Sequence, residues 1–159
     1  MISKKVVLTG SFGVGKTSLF NRFISNTFSD KYLTTIGVKV DKKSMTIEGE
    51  EISLILWDIA GEVSQEKVPK SYFLGTSAII YIFDLSSPTT LKNMQADLRL
   101  LNNLLPGVLI RKVGNKQDLV TEDVIQQMKK KANPDTFTSA KTGENVEELF
   151  LDIAKFLIS

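Results

Sequence analysis

The 159-residue chain contains no cysteine and no histidine. Without cysteine there is no disulfide, no thiolate nucleophile, no thiolate-held zinc and no acceptor for a prenyl or palmitoyl chain. Without histidine there is no imidazole base, no Ser-His-Asp triad and no histidine metal cluster. A dominant charge is missing too: 20 Lys+Arg against 18 Asp+Glu leave a net +2, which gives no bulk attraction for nucleic acid. No apolar run approaches the ~18 residues of a membrane span, and the stretch 78–83 is only strand-sized. The start, MISKKVVLTG, lacks a signal-peptide core, and Ile2 stands where N-myristoylation needs glycine. The expectation is one soluble, cytoplasmic, monomeric domain over residues 1–159, with no nucleic-acid partner and no encoded lipid anchor. Its chemistry must rest on carboxylates, lysines, hydroxyls, backbone amides or a metal held by oxygen.

Segments alternate strand and helix without linker or repeat, which predicts a parallel sheet covered on both faces. Val6, Val7 and Leu8 form a strand ending at Thr9, and the helix after it carries Leu19, Phe20, Phe23 and Ile24 at helical spacing. Segments 38–47 and 52–58 read as antiparallel strands joined by a turn at Glu48, Gly49 and Glu50. Segments 78–84 and 108–115 are further strands, and Phe137 and Thr138 a last short one. Ser87 reads as an N-cap before a first-turn Pro88, opening a helix with Leu91, Met94, Leu98, Leu101 and Leu105 on one stripe. Thr121 opens another, with Glu122 and Asp123 at its start and Lys129, Lys130 and Lys131 at its end, a distribution that suits the helix dipole. Asn145 and Glu148 resemble a capping box for a terminal helix. The sum is an α/β fold with six strands, one of them antiparallel, and about five helices.

Gly10-Ser11-Phe12-Gly13-Val14-Gly15-Lys16-Thr17 matches the phosphate-loop pattern G-x-x-x-x-G-K-[ST], placed between a strand and a helix. Glycines let backbone N–H groups wrap a phosphate at a helix N-terminus. Lys16 then reaches the β- and γ-phosphates as a point charge, and the Thr17 hydroxyl suits Mg2+. This loop alone does not choose between kinase, ATPase and GTPase. Asp58, within Trp57-Asp58-Ile59-Ala60-Gly61, ends a strand and fits an acid that holds Mg2+ through water, with the Gly61 N–H near a γ-phosphate. In Asn115-Lys116-Gln117-Asp118, Asp118 can accept two N–H bonds from a guanine edge, a pattern adenine cannot supply. Asn115 can tie this loop to the phosphate loop, and the Lys116 stem can lie along the base. Ser139-Ala140-Lys141 offers a backbone N–H to the guanine carbonyl.

Together with Thr35-Ile36-Gly37, Ser71-Tyr72-Phe73 and Gly75, these motifs resemble a Ras-superfamily small GTPase of Rab-like flavour, over essentially the whole chain. The resemblance implies the G-domain form of the P-loop NTPase fold, with GTP/GDP and Mg2+ as ligands. It implies a molecular switch whose regions 26–37 and 60–75 meet effectors, exchange factors and activating proteins. It makes Thr35 the switch threonine that ligates Mg2+ with Thr17 and Asp58, and Phe28 the aromatic packed edge-on against guanine. Tyr32 becomes the tyrosine that closes over the phosphates, and Ser18 an α-phosphate contact. Nucleotide binding then involves Gly13, Val14, Gly15, Lys16, Thr17, Ser18, Phe28, Asn115, Lys116, Asp118, Ser139, Ala140 and Lys141. Turnover involves Lys16, Thr35, Gly61 and Glu62.

Two positions depart from the family pattern. Glu62 stands where the family usually has a water-positioning glutamine; an ionised carboxylate cannot donate to the γ-phosphate. Like charges ~4 Å apart cost about 4 kcal/mol at an effective dielectric near ~20. Either Glu62 positions water poorly with a raised pKa, or it turns to solvent and leaves hydrolysis slow; Gln65 has no spacing that makes it a substitute. Phe12 occupies a loop position that is often small in the family and should crowd an incoming arginine finger. The chain's three arginines, Arg22, Arg99 and Arg111, all lie outside these loops. Slow intrinsic hydrolysis follows, with a GTP-locked binding module as the alternative; a P-loop kinase or ATPase is a third, which the 115–118 motif disfavours. Arg111 and Lys112 sit in a predicted buried strand, as snorkelling stems, at a bulge where the strand begins, or as a partner contact. The ending at Ser159 without a prenylation motif leaves two readings, an unlipidated member or a piece of a longer chain.

Overall fold

A computed structural model describes residues 2–29, 37–59 and 68–159. Six strands, β1 (Ile2–Gly10), β2 (Val38–Ile47), β3 (Glu50–Ile59), β4 (Thr76–Asp84), β5 (Leu109–Asn115) and β6 (Thr136–Phe137), form one sheet in the order β2-β3-β1-β4-β5-β6. Only the β2/β3 pair is antiparallel; the other four pairings are parallel. Its hairpin closes on the pair Ile47 and Glu50, so the turn is the two residues Glu48 (φ 51°) and Gly49 (φ 83°). Positive φ at both positions matches the twist of the flanking strands, which moves Glu50 from the expected turn into β3.

Period-two alternation divides the parallel strands between two cores. Val6, Leu8, Ile80 and Ile82 face one side, where α1 (Lys16–Ser25) and α4 (Val146–Ile158) bury Leu19, Phe20, Phe23, Phe150 and Ile153. Phe23 and Phe150 stack with centroids 3.8 Å apart, joining the two helices. Val7, Ile79, Tyr81 and Phe83 face the other side, under Met94 and Leu101 of α2 (Met94–Leu104) and Met128 of α3 (Glu122–Lys131). Four α-helices and three short 3-10 turns stand among the described residues where about five helices are expected. None of these helices is long and apolar enough to cross a membrane.

Two helix starts differ from the sequence expectation. Pro88–Leu91 is a 3-10 turn, and α2 begins only at Met94. The buried Thr90 hydroxyl donates to Ser87 O at 2.8 Å and accepts from the Asp84 N–H at 3.0 Å. Such local side-chain bonds compete with helical ones. Asn145 precedes α4 at φ 63°, a left-handed conformation, and its side chain caps nothing; Nδ2 donates to Phe137 O at 2.9 Å instead. The capping box with Glu148 therefore does not form.

Arg111 and Lys112 have a structural account. β6 pairs only with Val113 and Gly114, so the first half of β5 lies near the sheet edge and is only half-buried. Arg111 Nε meets Asp152 Oδ2 of α4 at 3.1 Å. Lys112 Nζ donates to Ala132 O, the C-cap carbonyl of α3, at 3.2 Å, which suits both the unpaired carbonyl and the dipole. Lys129, Lys130 and Lys131 do form the last turn of α3.

Candidate functional site

Parallel β1, β3, β4 and β5 all end at the same edge of the sheet. Asp58 lies level with Leu8 of β1, and Asp84 with Asn115. β1 runs between β3 and β4, where winding changes direction, the usual location of a ligand crevice. Here the chain leaves β1 at Gly10 and re-enters regular structure at Lys16.

Gly10 has φ +149°, and a Cβ on it would lie 2.2 Å from Ile82 O. Gly13 and Gly15 take φ 77° and 98°. A Cβ on Gly15 would meet Asn115 Nδ2 at 2.4 Å. Glycine is therefore required sterically where the loop passes both neighbours. Lys16 is buried and donates to Gly10 O at 3.3 Å and Ser11 O at 3.2 Å, arching back over the loop that precedes it. Thr17 Oγ1 donates to Asp58 Oδ2 at 2.6 Å, joining the first turn of α1 to the end of β3. A hydroxyl and a carboxylate side by side are the hard oxygen donors that suit Mg2+ beside a phosphate. Among the described residues no cluster of three or more Asp or Glu could hold a metal alone. These two oxygen donors fit a Mg2+ whose further ligands come from a phosphorylated ligand and water.

The second half of the site is built around Asn115, which is 1% exposed. Its Nδ2 donates to Val14 O at 3.0 Å, and its Oδ1 accepts from Thr138 Oγ1 at 3.0 Å and the Ala140 N–H at 3.3 Å. One side chain thereby joins the phosphate loop, the end of β5 and the segment after β6. Lys116, at φ 67°, sends Nζ to Gly13 O at 2.9 Å and to Asp84 Oδ2 at 2.8 Å. Asp118 Oδ1 accepts from Ser139 Oγ at 2.7 Å, and that hydroxyl accepts from the Thr142 N–H at 3.1 Å. Phe28 is about one-third exposed (37%), just beyond the Asn26 cap of α1, Ser18 is half-buried on α1, and Phe12 is 68% exposed on the loop.

The structure brings together Gly13, Val14, Gly15, Lys16, Thr17 and Asp58 at one end, and Asn115, Lys116, Asp118, Ser139 and Ala140 at the other. Thr35, Gly61 and Glu62, with Tyr32 and Gln65, lie outside the described residues. Sequence reasoning overlooked Asp84 and Thr138. Asp84 is 5% exposed, anchors Lys116, and accepts from the Ser86 N–H at 2.8 Å and Ser86 Oγ at 2.6 Å. The available signal was position: Asp84 ends a parallel strand, as Asp58 and Asn115 nearly or fully do.

Comparison with known proteins agrees with this architecture. The Ras family profile matches residues 5–159. The chain belongs to the Ras family. It is 32% identical over 158 residues to the GTP-binding protein ypt1 of Schizosaccharomyces pombe, covering 95% of this chain and 78% of that one. It is 34% identical over 157 residues to the Ras-related protein Rab-1A of Dictyostelium discoideum, covering 94% and 78%. Rab-1D of the same organism is 32% identical over 158 residues, covering 95% and 78%. The chain is thus a Rab-like member of the Ras superfamily, and that membership supports a GTP-binding switch protein with GTPase chemistry.

Proposed function

We propose that residues 1–159 form a single guanine-nucleotide switch that hydrolyses GTP slowly on its own. The observation that carries this reading is the Asn115 hub, which holds the phosphate loop through Val14 O and the 138–140 segment through Thr138 and Ala140. A ligand spanning both ends would meet one connected framework. Loop amides and Lys16 bind the phosphates. Asp118 receives the N–H groups of a guanine edge, and the Ala140 N–H, whose present bond at 3.3 Å is long, is free to exchange it for the guanine carbonyl. Thr17, Thr35 and Asp58 would hold Mg2+, which supplies charge neutralisation at the phosphates when bound. Lys16 exchanges its two loop carbonyls for phosphate oxygens and stabilises charge in the transition state. Partners are effectors and regulators meeting regions 26–37 and 60–75.

Two side chains support slow turnover. Glu62 cannot donate a hydrogen bond to a γ-phosphate when ionised. Phe12 projects from the phosphate loop with 68% of its surface exposed, in the way of an arginine supplied by an activating protein. The test is chromatography of nucleotide released from purified protein, followed by single-turnover hydrolysis of added GTP. Bound GDP with slow turnover is expected. Bound GTP that persists would indicate a locked module, adenine nucleotide would overturn the assignment, and an unassisted rate approaching ~1 per second would overturn slow hydrolysis. Phe12→Gly should restore sensitivity to an arginine-supplying activator, and Glu62→Gln should raise the unassisted rate.

A further inference from the structure

Arg22 joins α1 to the segment that follows β6. It lies six residues after Lys16, about 9 Å along the helix axis. Its Nε donates to Ala140 O at 2.8 Å, and its Nη2 to Lys141 O at 2.6 Å. Its Nη1 donates to Asn26 Oδ1 at 3.1 Å and reaches Asn26 O at 3.4 Å. A guanidinium presents its donors as a rigid planar fork, so two successive carbonyls on one edge are held at a fixed spacing.

Fixing those carbonyls fixes the amides behind them. The peptide group is planar and trans, so the N–H following a held carbonyl points to the opposite side. Holding Ala140 O turns the Lys141 N–H away from α1. Holding Lys141 O orients the Thr142 N–H, which donates to Ser139 Oγ, and that hydroxyl donates to Asp118 Oδ1. The order Arg22, Lys141, Thr142, Ser139, Asp118 is a continuous hydrogen-bonded path. It runs from the helix that begins at the phosphate loop to the carboxylate that reads the base.

We propose that Arg22 is a positioning residue for base recognition. It sets the 139–142 loop so that its amides meet the purine 6-carbonyl and Asp118 meets the neighbouring N–H. This rests on the guanine reading above and adds the residue that enforces it. One helix then carries phosphate binding at its first turn and base discrimination near its last, so the separation of the two subsites is set by a rigid rod.

The test compares affinities of wild type, Arg22→Lys and Arg22→Ala for three diphosphates. GDP and the inosine nucleotide keep the 6-carbonyl and the ring N–H; the 2-aminopurine nucleotide has neither. Lysine keeps the charge but puts a single ammonium on a flexible stem in place of the rigid planar fork, so it does not hold the two carbonyls at the fork's fixed spacing, and both variants should lose about tenfold for GDP and for the inosine nucleotide, the scale of one charge-assisted bond. The 2-aminopurine nucleotide keeps only the 2-amino group for Asp118, so its loss should be clearly smaller than the loss for GDP. Equal loss for all three, or rescue by lysine, would show general support of the fold and overturn the proposal. If Arg22→Ala does not fold, Arg22→Lys decides alone. Wild-type protein that binds the 2-aminopurine nucleotide as tightly as GDP would overturn the guanine reading itself. Normal wild-type discrimination with uniform losses would overturn only the role of Arg22.

Discussion

Replacing Asn115 by alanine should unlock the site before any ligand is considered. The side chain makes three hydrogen bonds in a region where Asn115, Val14, Thr138 and Ala140 are all buried. Alanine leaves the Val14 carbonyl, the Thr138 hydroxyl and the Ala140 N–H without that partner. A buried polar group left unsatisfied costs about 1–3 kcal/mol. The Ala140 bond, being long, contributes least, which puts the total at about 3–6 kcal/mol. A domain of ordinary stability has only about 5–15 kcal/mol to lose. At this chain length each kcal/mol moves the melting temperature by about 2–4 °C, so a fall of about 6–24 °C is expected. Unfolding must be followed on nucleotide-free protein, because bound nucleotide would add its own stabilisation by mass action. The same geometry makes a second demand. A Cβ on Gly15 would lie 2.4 Å from Asn115 Nδ2, so Gly15→Ala should cost less in the Asn115→Ala background than in wild type. What remains is the strain of φ +98°. A loss below ~1 kcal/mol for Asn115→Ala, or strict additivity of the two changes, would refute the hub.

Gly10→Ala should lower stability by at least about 2 kcal/mol, since a Cβ 2.2 Å from Ile82 O meets sheet backbone that has no room to yield; urea unfolding checks it. Tyr81→Phe removes the hydroxyl that donates to Asp97 Oδ2, and both residues are buried. A loss of about 2–3 kcal/mol is expected, and Asp97→Leu added to Tyr81→Phe should recover much of it, because two apolar groups leave nothing unsatisfied. Lys5 packs its ammonium 3.7 Å from the Trp57 ring centroid and donates to Leu74 O at 2.9 Å, while burial lowers its pKa below the ordinary 10.5. In the window between that lowered value and 10.5 the unfolded chain binds more protons, so stability should rise with pH there. Lys5→Met should flatten this alkaline slope, as read by denaturant midpoints across the range.

The parts of the fold legible in the sequence are those set by short-range rules. Continuous apolar runs marked β4, and helical spacing marked α1 and α4, because burial on both sides of a strand and on one stripe of a helix leaves a local pattern. The glycines of the phosphate loop were legible for the same reason: positive φ at Gly10, Gly13 and Gly15 is a local demand of the loop that joins β1 to α1. Features set by distant partners were not legible. Arg111 looked misplaced in a buried strand because its partner, Asp152, is 41 residues away. Asn145 looked like a cap because a window of four residues does not reveal that its amide is needed at Phe137 O. Thr90 gave no sign that it would bind the backbone at Asp84 and Ser87 and delay α2 by six residues from Pro88.

Asp84 shows how a long-range site becomes readable once strand order is known. In the sheet order β3-β1-β4-β5, the strands finish near Asp58, at Gly10, at Asp84 and at Asn115. Three polar side chains therefore stand in a row, and the strand among them that ends without a side chain is the one from which the phosphate loop departs. Each polar residue is held by a group from a loop or helix: Asp58 by Thr17, Asp84 by Lys116 and Ser86, Asn115 by Thr138 while it holds Val14. A charged or amide group at a buried strand end is costly unless such partners meet it. Its presence at adjacent strand ends is thus a signature that loops converge there. Asp84 joins the candidate site for the same physical reason as Asp58 and Asn115, although no motif contains it.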